Sequence, residues 1–94
     1  MKPAASRVLI DDHIVRVWEW TMSPGTETGD HVHGLDYLVI YLTPGTLTVK
    51  ADGTLVEAAV TAHLVTSRPA GVAHNVMNRS SEIIKFIEIE LKRH

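Results

Sequence analysis

Turn-forming residues divide this 94-residue chain into short segments, and their spacing constrains the fold more than any other feature of the sequence. Within the segments, apolar residues tend to recur at every second position, which is the period of a β-strand. The turn signals fall at residues 24–25, 44–45, 52–53, 69–71 and 78–81. The predicted strands cover residues 14–20, 37–42, 46–50, 54–57, 63–66, 74–77 and 83–91. Many short strands at regular spacing predict an all-β sandwich or barrel.

Two segments of this pattern need closer inspection. Residues 37–42 form a continuous run of apolar and aromatic residues, which predicts a strand that is buried on both faces. Residues 55–64 are rich in alanine, as a helix would be, but the segment is short and has no clear cap. We therefore interpret it as part of a strand that pairs back across a hairpin turn at Asp52 and Gly53.

The length of the chain predicts a single domain over residues 1–94, with residues 1–12 as an N-terminal arm or edge strand. The formal net charge is −2 and the basic residues are scattered, so we expect no nucleic-acid partner and no membrane partner. The sequence has no cysteine, no secretory signal and no membrane-length apolar run, which favours the cytoplasm. A barrel this small has exposed strand edges and a limited core, so we expect a homodimer that pairs through the N-terminal strand or another edge strand.

Histidines provide the clearest sign of chemistry. His31 and His33 lie two residues apart, and residues i and i+2 of a strand point to the same face. Neutral imidazole is the commonest protein ligand for zinc, iron, nickel and copper. A third histidine, His74, follows the turn at residues 69–71, and the three together predict a metal site. The other histidines are expected to be structural or exposed: His13, His63 and His94.

The residues around these histidines resemble the two motifs of the cupin family. The first motif is glycine, five residues and His-x-His, followed by a glutamate and a second glycine. Residues 25–45 match its glycines and its histidines. The second motif contains Pro-x-Gly, two residues, histidine, three residues and asparagine. Residues 69–78 match that part in full, although His63 stands where the motif has its leading glycine.

This resemblance covers a little over half of the chain and implies a specific architecture. Cupins are small antiparallel β-barrels, built as a double-sheet jelly roll, and their motif histidines bind one metal ion inside the barrel. Carried over to this chain, the resemblance makes His31, His33 and His74 the ligands of a divalent ion. Iron, nickel, manganese and zinc are all compatible with imidazole ligands.

The glutamate that serves as the family's fourth ligand is absent from its motif position. The spacing leads instead to Tyr37 or Leu38, and Asp36 comes too early. On a regular strand Tyr37 shares the face of the histidines, whereas a bulge at Gly34 would bring Asp36 inward instead. We favour Tyr37 beside the metal, as a hydrogen-bonding catalytic group or weak ligand. Asp36 then caps the turn or holds the second nitrogen of a histidine.

Carboxylates and tryptophans on the predicted strands have less specific roles. Glu19, Glu88 and Glu90 are expected to face outward, as charged strand residues normally do. If Glu88 pointed inward, it would be a rival fourth ligand or a base. Trp18 and Trp20 share one strand face and are expected to pack in the core or in a dimer contact.

Three neutral histidines leave a divalent ion with its full positive charge, which favours small anionic or chelating ligands such as enolates, dicarbonyls or carboxylates. Similarity to small cupins implies a metal-dependent enzyme of the dioxygenase, isomerase or lyase type. The alternative is a non-catalytic cupin that binds or senses a small molecule. A third hypothesis is that the metal only stabilises the core. Residues 16–20 and 36–37 also resemble a subgroup of short cupins linked to β-alanine catabolism.

Overall fold

The computed structural model describes residues 1–92, so His94 lies outside the described part of the chain. The strands are β1 (Lys2–Pro3), β2 (Ala5–Asp11), β3 (Val15–Met22), β4 (Thr26–Glu27), β5 (His31–Val32), β6 (Tyr37–Tyr41), β7 (Gly45–Ala51), β8 (Thr54–Val60), β9 (Val65–Arg68), β10 (Ala73–Asn78) and β11 (Ile84–Leu91). The prediction of an all-β chain is confirmed. Within residues 1–92, no helix is long and apolar enough to cross a membrane.

The strands form two sheets that enclose the interior of a jelly roll. The first sheet has the order β1-β4-β10-β7-β8, with β5 also paired to β10. The second sheet has the order β2-β3-β11-β6-β9. Neighbouring strands are antiparallel, except that β1 pairs in parallel with β4. The chain therefore contributes an N-terminal edge strand to each sheet, β1 to the first and β2 to the second.

The hairpin between β7 and β8 forms as the sequence predicts. Asp52 and Gly53 both have positive φ, 52° and 74°, as a two-residue turn between twisted antiparallel strands requires. The alanine-rich segment after this turn forms strand β8 as far as Val60 and pairs with β7 there, and residues 61–64 make a turn. The interpretation of this segment as a strand rather than a helix is confirmed.

The hydrophobic core forms between the inner faces of the two sheets. Its buried members are Met22, Tyr37, Val39, Leu47, Val60, Ile84 and Phe86. Strand β6 contributes Tyr37 and Val39, while Leu38 and Ile40 on its other face are only half-buried. Ile84 packs so closely on the start of β7 that a Cβ at Gly45 would lie 2.7 Å from Ile84 Cδ1. Any larger residue at this position would force the Ile84 side chain to shift within the core.

Strand β11 corrects one expectation from the sequence. Its buried positions alternate from Ile84 and Phe86 to Glu88 and Glu90, so both glutamates point into the barrel. The expectation that they face outward is wrong. Only Glu19 lies on the outer face, where it is hydrogen-bonded to Arg7 at 2.9 Å.

A hydrogen-bond network makes the burial of Glu90 tolerable. Arg16 Nε donates to Glu90 Oε1 at 2.7 Å, and Trp18 Nε1 donates to the same oxygen at 2.6 Å. Burial alone would raise the pKa of Glu90, but these two hydrogen bonds outweigh it and lower the pKa below its usual value. Glu90 therefore stays ionised and has a structural role, and Trp18 belongs to this network.

Candidate metal centre

Strand pairing brings the two histidine motifs together. Strands β5 and β10 are antiparallel neighbours, and His31 lies directly opposite His74 in their register. His33 follows β5 immediately, and its backbone carbonyl accepts a hydrogen bond from the backbone N–H of Gly71 at 2.9 Å. The loop that precedes β10 is thereby attached to the segment that follows β5. All three histidines predicted as ligands consequently lie at one place in the barrel.

The three histidines point their Nε2 atoms at one another. The distances between these atoms are 3.0 Å for His31 and His33, 3.0 Å for His31 and His74, and 3.3 Å for His33 and His74. Ligand nitrogens about 2.1 Å from one shared ion come to separations of this size. Within residues 1–92, this is the group of His, Asp and Glu residues whose ligand atoms suit a metal ion.

The hydrogen bond of His31 Nδ1 supports the same interpretation. His31 Nδ1 lies 2.7 Å from the carbonyl oxygen of Gly29, and a carbonyl can only accept, so Nδ1 is the donor. In the neutral tautomer with this proton, the lone pair of Nε2 is directed at the other two rings. One proton can bridge only a single pair of these nitrogens, whereas a cation between them satisfies all three. The donor set therefore fits a divalent metal ion.

Tyr37 is buried and Asp36 is exposed, although the chain bends at residues 34–35 and β6 begins only at Tyr37. The ring of Tyr37 stacks on His33 with 3.9 Å between ring centroids, so it borders the histidine cluster. Asp36 is exposed, and its Oδ1 accepts a hydrogen bond from the backbone N–H of Ala70 at 2.9 Å. Asp36 thus fixes the loop before β10 and does not contact a histidine ring nitrogen.

Glu88 was expected to face outward as a charged strand residue, but it points inward and borders the histidine cluster. Its Oε1 lies 3.8 Å from His33 Nε2, which is too long for a hydrogen bond but close enough for a small shift to join them. The carboxylate comes from the last strand of the chain, not from the first motif. The sequence contains a signal for this inward orientation. Glu88 lies two residues after the apolar Phe86, and side chains two residues apart on a strand point to the same face.

A cavity of about 370 Å³ extends from the histidines through the barrel. Its polar lining includes His31, His74, Tyr37, Arg68 and Glu88. Most of the other lining residues are aliphatic or aromatic, and they include Trp20, which stacks on Phe86 with 6.2 Å between centroids. A mainly apolar cavity with a few convergent polar groups is typical of a site for a small molecule.

Comparison with known proteins identifies the family. The chain is 43% identical over 89 residues to the β-alanine degradation protein BauB of Pseudomonas aeruginosa, and the match covers 95% of this chain and 94% of that protein. A crystal structure of a cupin domain from Bordetella pertussis has 40% sequence identity and a TM-score of 0.94, and it covers 99% of this chain and 98% of that chain. The chain is a cupin.

More distant comparisons agree on the fold of this cupin. A double-stranded β-helix protein from Klebsiella pneumoniae has a TM-score of 0.80 at 20% identity, covering 96% of this chain and 77% of that chain. No protein-family model matches the chain. The family prediction from the two motifs is confirmed, and so is the resemblance to short cupins linked to β-alanine catabolism.

Burial controls the protonation of the groups around the cavity of this cupin. Burial and the neighbouring His31 and His74 lower the pKa of His33 from 6.5 to about 4, so His33 is neutral at physiological pH. Burial and the charge of Glu90 raise the pKa of Glu88 from 4.5 to about 7. Neutral imidazoles are the form that binds a metal ion.

These two shifts have opposite effects on the stability of the metal-free cupin. Between about pH 4 and 6.5, His33 binds fewer protons in the folded state than in the unfolded state, so its contribution to the free energy of unfolding rises with pH. Between about pH 4.5 and 7, Glu88 binds more protons in the folded state, so its contribution falls with pH. The two contributions oppose each other over most of this range.

Replacement of Glu88 by glutamine removes one of these opposing contributions. We expect the free energy of unfolding of metal-free Glu88→Gln to fall more steeply than that of the wild type as the pH is lowered from 7 to 5. Urea denaturation of both proteins at the two pH values measures this difference. Equal pH dependence in the two proteins would contradict the opposing shifts of His33 and Glu88.

Proposed function

We propose that this cupin is an enzyme that acts on a small anionic or chelating metabolite, with a divalent metal ion held by His31, His33 and His74. The convergence of their three Nε2 atoms beside a cavity of about 370 Å³ supports this proposal most. Iron, nickel, manganese or zinc bound there would supply Lewis-acid chemistry, and iron would add redox chemistry. Reactions of the dioxygenase, isomerase or lyase type are compatible with such a centre.

The residues around the histidines have complementary roles in this proposal. Glu88 is the carboxylate that borders the cluster, so it is the group placed to accept a proton from a bound ligand. Tyr37 keeps its phenolic proton, because burial raises the pKa of this group to about 12, and it can therefore donate a hydrogen bond. The mainly apolar walls of the cavity would contact the carbon skeleton of the ligand.

The similarity to BauB supports a metabolic setting for this activity. The name of that protein refers to β-alanine degradation, and it is 43% identical to this chain. We place the present cupin in the breakdown of short amino acids or of the acids derived from them, in the cytoplasm. A ligand of this class is small enough for the cavity and carries the negative charge that a metal centre attracts.

Metal reconstitution tests this proposal. Protein that has been stripped with a chelator is reloaded with iron, nickel, manganese or zinc and supplied with short 3-oxo and 3-hydroxy acids. We expect turnover with at least one metal, measured by oxygen uptake and by loss of substrate. Glu88→Gln should keep the metal but lose at least about 100-fold in rate. Metal-dependent binding of these acids without turnover under any metal would favour the alternative, a binding or sensing cupin.

We also propose that two copies of this cupin form a homodimer through the outer face of the second sheet. Its apolar residues on three adjacent strands are Val17, which is buried, and Leu38, Ile40, Ile87 and Ile89, and Glu19 lies beside them in its ion pair with Arg7. Ile10 extends it onto β2, and Val65 extends it onto β9. Because a twofold axis sets the same face against itself, an apolar face of this kind matches a second copy of itself.

Light scattering after size-exclusion chromatography measures this association. We expect the wild type to have twice the 10.4 kDa mass of the chain. Ile89→Lys puts a charge at the centre of the outer face. Burial of this charge between two copies is unfavourable, so the variant should be a folded monomer. The matched control is Leu55→Lys on β8, an exposed residue of the other sheet, and it should stay dimeric. A wild-type mass of 10.4 kDa would contradict the proposal.

A further inference from the structure

One arginine lines the cavity that leads to the histidines. Arg68 ends strand β9, directly opposite Tyr37 in the pairing with β6. Among the described residues that line this cavity, it is the only lysine or arginine. Sequence analysis did not predict a role for it, although it immediately precedes the Pro-x-Gly of the second motif. The cavity therefore has one permanent positive charge that belongs to the protein.

Strand pairing turns Arg68 toward the interior of the cavity. Residues directly opposite each other in adjacent strands point to the same side of the sheet, and Tyr37, opposite Arg68, lies in the core. Arg68 therefore projects from the inner face of the second sheet, and it lines the same cavity as His31 and His74 of the first sheet. Its charge also opposes the rise that burial gives to the pKa of Tyr41.

Arg68 has no partner of its own within residues 1–92. Arg7 and Arg16 each pair with a glutamate, whereas the side chain of Arg68 makes no hydrogen bond or ion pair in this part of the chain. Within the same residues, Glu88 Oε1 lies 3.8 Å from His33 Nε2, and Glu88 forms no ion pair with Arg68. Arg68 and Glu88 are therefore separate polar groups of one cavity and do not neutralise each other.

The position of Arg68 is fixed by the backbone that follows it. Asp36 accepts a hydrogen bond from the backbone N–H of Ala70, and the carbonyl of His33 accepts one from Gly71, both at 2.9 Å. These two hydrogen bonds attach the end of β9 to the segment that carries a predicted metal ligand. The backbone at Arg68, from which the side chain projects, is thus held in place relative to the histidines.

We propose that Arg68 binds the carboxylate of the ligand, and that the ligand is a short carboxylic acid with a second donor group that reaches the histidine centre. Guanidinium matches a carboxylate in charge and in geometry, through two parallel hydrogen bonds. A cavity of about 370 Å³ is near the lower end of the range for ligand sites, which limits the length of the acid. The second donor is a carbonyl, hydroxyl or amine. This inference rests on the metal centre of the proposed function.

The test compares a charged probe with its neutral counterpart. Isothermal titration calorimetry measures the binding of 3-hydroxybutanoate and of its methyl ester to the metal-loaded protein. The wild type should prefer the acid, and Arg68→Gln should weaken binding of the acid by about 10- to 100-fold while leaving that of the ester nearly unchanged. Arg68→Lys, which keeps the charge but loses the planar fork, should give an intermediate result. All of these variants should bind metal like the wild type.

Arg79→Gln is the matched control, because Arg79 is exposed like Arg68 but does not line the cavity. It should bind both probes like the wild type. A metal-loaded wild type that does not prefer the acid, or an Arg68→Gln variant that retains the preference, would overturn the inference and leave the metal centre standing. Failure of the wild type to bind metal would overturn the proposed function instead. If the metal-free protein still bound the acid, and Arg68→Gln weakened that binding, the carboxylate site at Arg68 would stand without the metal centre.

Discussion

Alanine in place of His33 is expected to abolish stoichiometric binding of a divalent metal ion. His33 Nε2 lies 3.0 Å from His31 Nε2 and 3.3 Å from His74 Nε2, so its removal leaves two of the three converging nitrogens. Loss of a direct ligand should weaken metal affinity by at least about 100-fold, since loss of a group that only supports a ligand already costs about 10- to 100-fold. Elemental analysis after dialysis against a fixed concentration of free metal measures the bound ion.

The matched control is His63→Asn. His63 is exposed and has a φ of 70°, a conformation that asparagine tolerates well, so the substitution removes an imidazole without disturbing the backbone. This variant should retain one ion per chain. Circular dichroism should show that both variants keep the strand content of the wild type. If His33→Ala bound as much metal as His63→Asn, the assignment of the three histidines as ligands would be wrong.

Truncation of Ile84 should have the largest effect on stability. Ile84 is fully buried at 0% exposure and packs within the core cluster between the two sheets. Replacement by alanine removes apolar contacts and leaves a cavity, which typically costs 2–5 kcal/mol, or about a third of the stability of a domain. Urea denaturation of the metal-free proteins measures the difference in the free energy of unfolding.

The preceding residue provides a control of the same chemical type. Ile83 is 53% exposed, so Ile83→Ala should change the free energy of unfolding by about 0.5 kcal/mol or less. The two variants remove identical atoms from adjacent positions, and only burial distinguishes them. If Ile84→Ala and Ile83→Ala lost equal stability, the assignment of Ile84 and its side of β11 to the core would be wrong.

Local signals in the sequence were sufficient for most of the architecture. A two-residue hairpin needs positive φ at both turn positions, and an Asp-Gly pair supplies this at Asp52 and Gly53. The alternation of residues then continues into β8 despite its alanines. The spacing of His31 and His33 put both rings on one side, and the motif around His74 supplied the third ring. These features depend on short-range geometry, so a single sequence can reveal them.

The inward carboxylates depended on long-range pairing, which local patterns do not determine. Strand β11 alternates strictly, but both of its faces carry large apolar side chains, with Phe86 on one and Ile87 and Ile89 on the other. Without the partners of this strand, the expectation rested on the general rule that charged strand residues face outward, and that rule turned Glu88 outward. A strand's inward face is fixed by its partners, here β3 and β6, and an error of one residue reverses every side chain.

X-ray diffraction recorded on both sides of the absorption edge of the bound metal tests the central claim most directly. The cupin is crystallised after dialysis against the metal that supports activity, and an anomalous difference map is calculated. The account predicts one strong peak per chain, within about 2.0–2.3 Å of Nε2 of His31, His33 and His74. A metal-saturated crystal without a peak between these nitrogens, or with its strong peak at another group of residues, would contradict it.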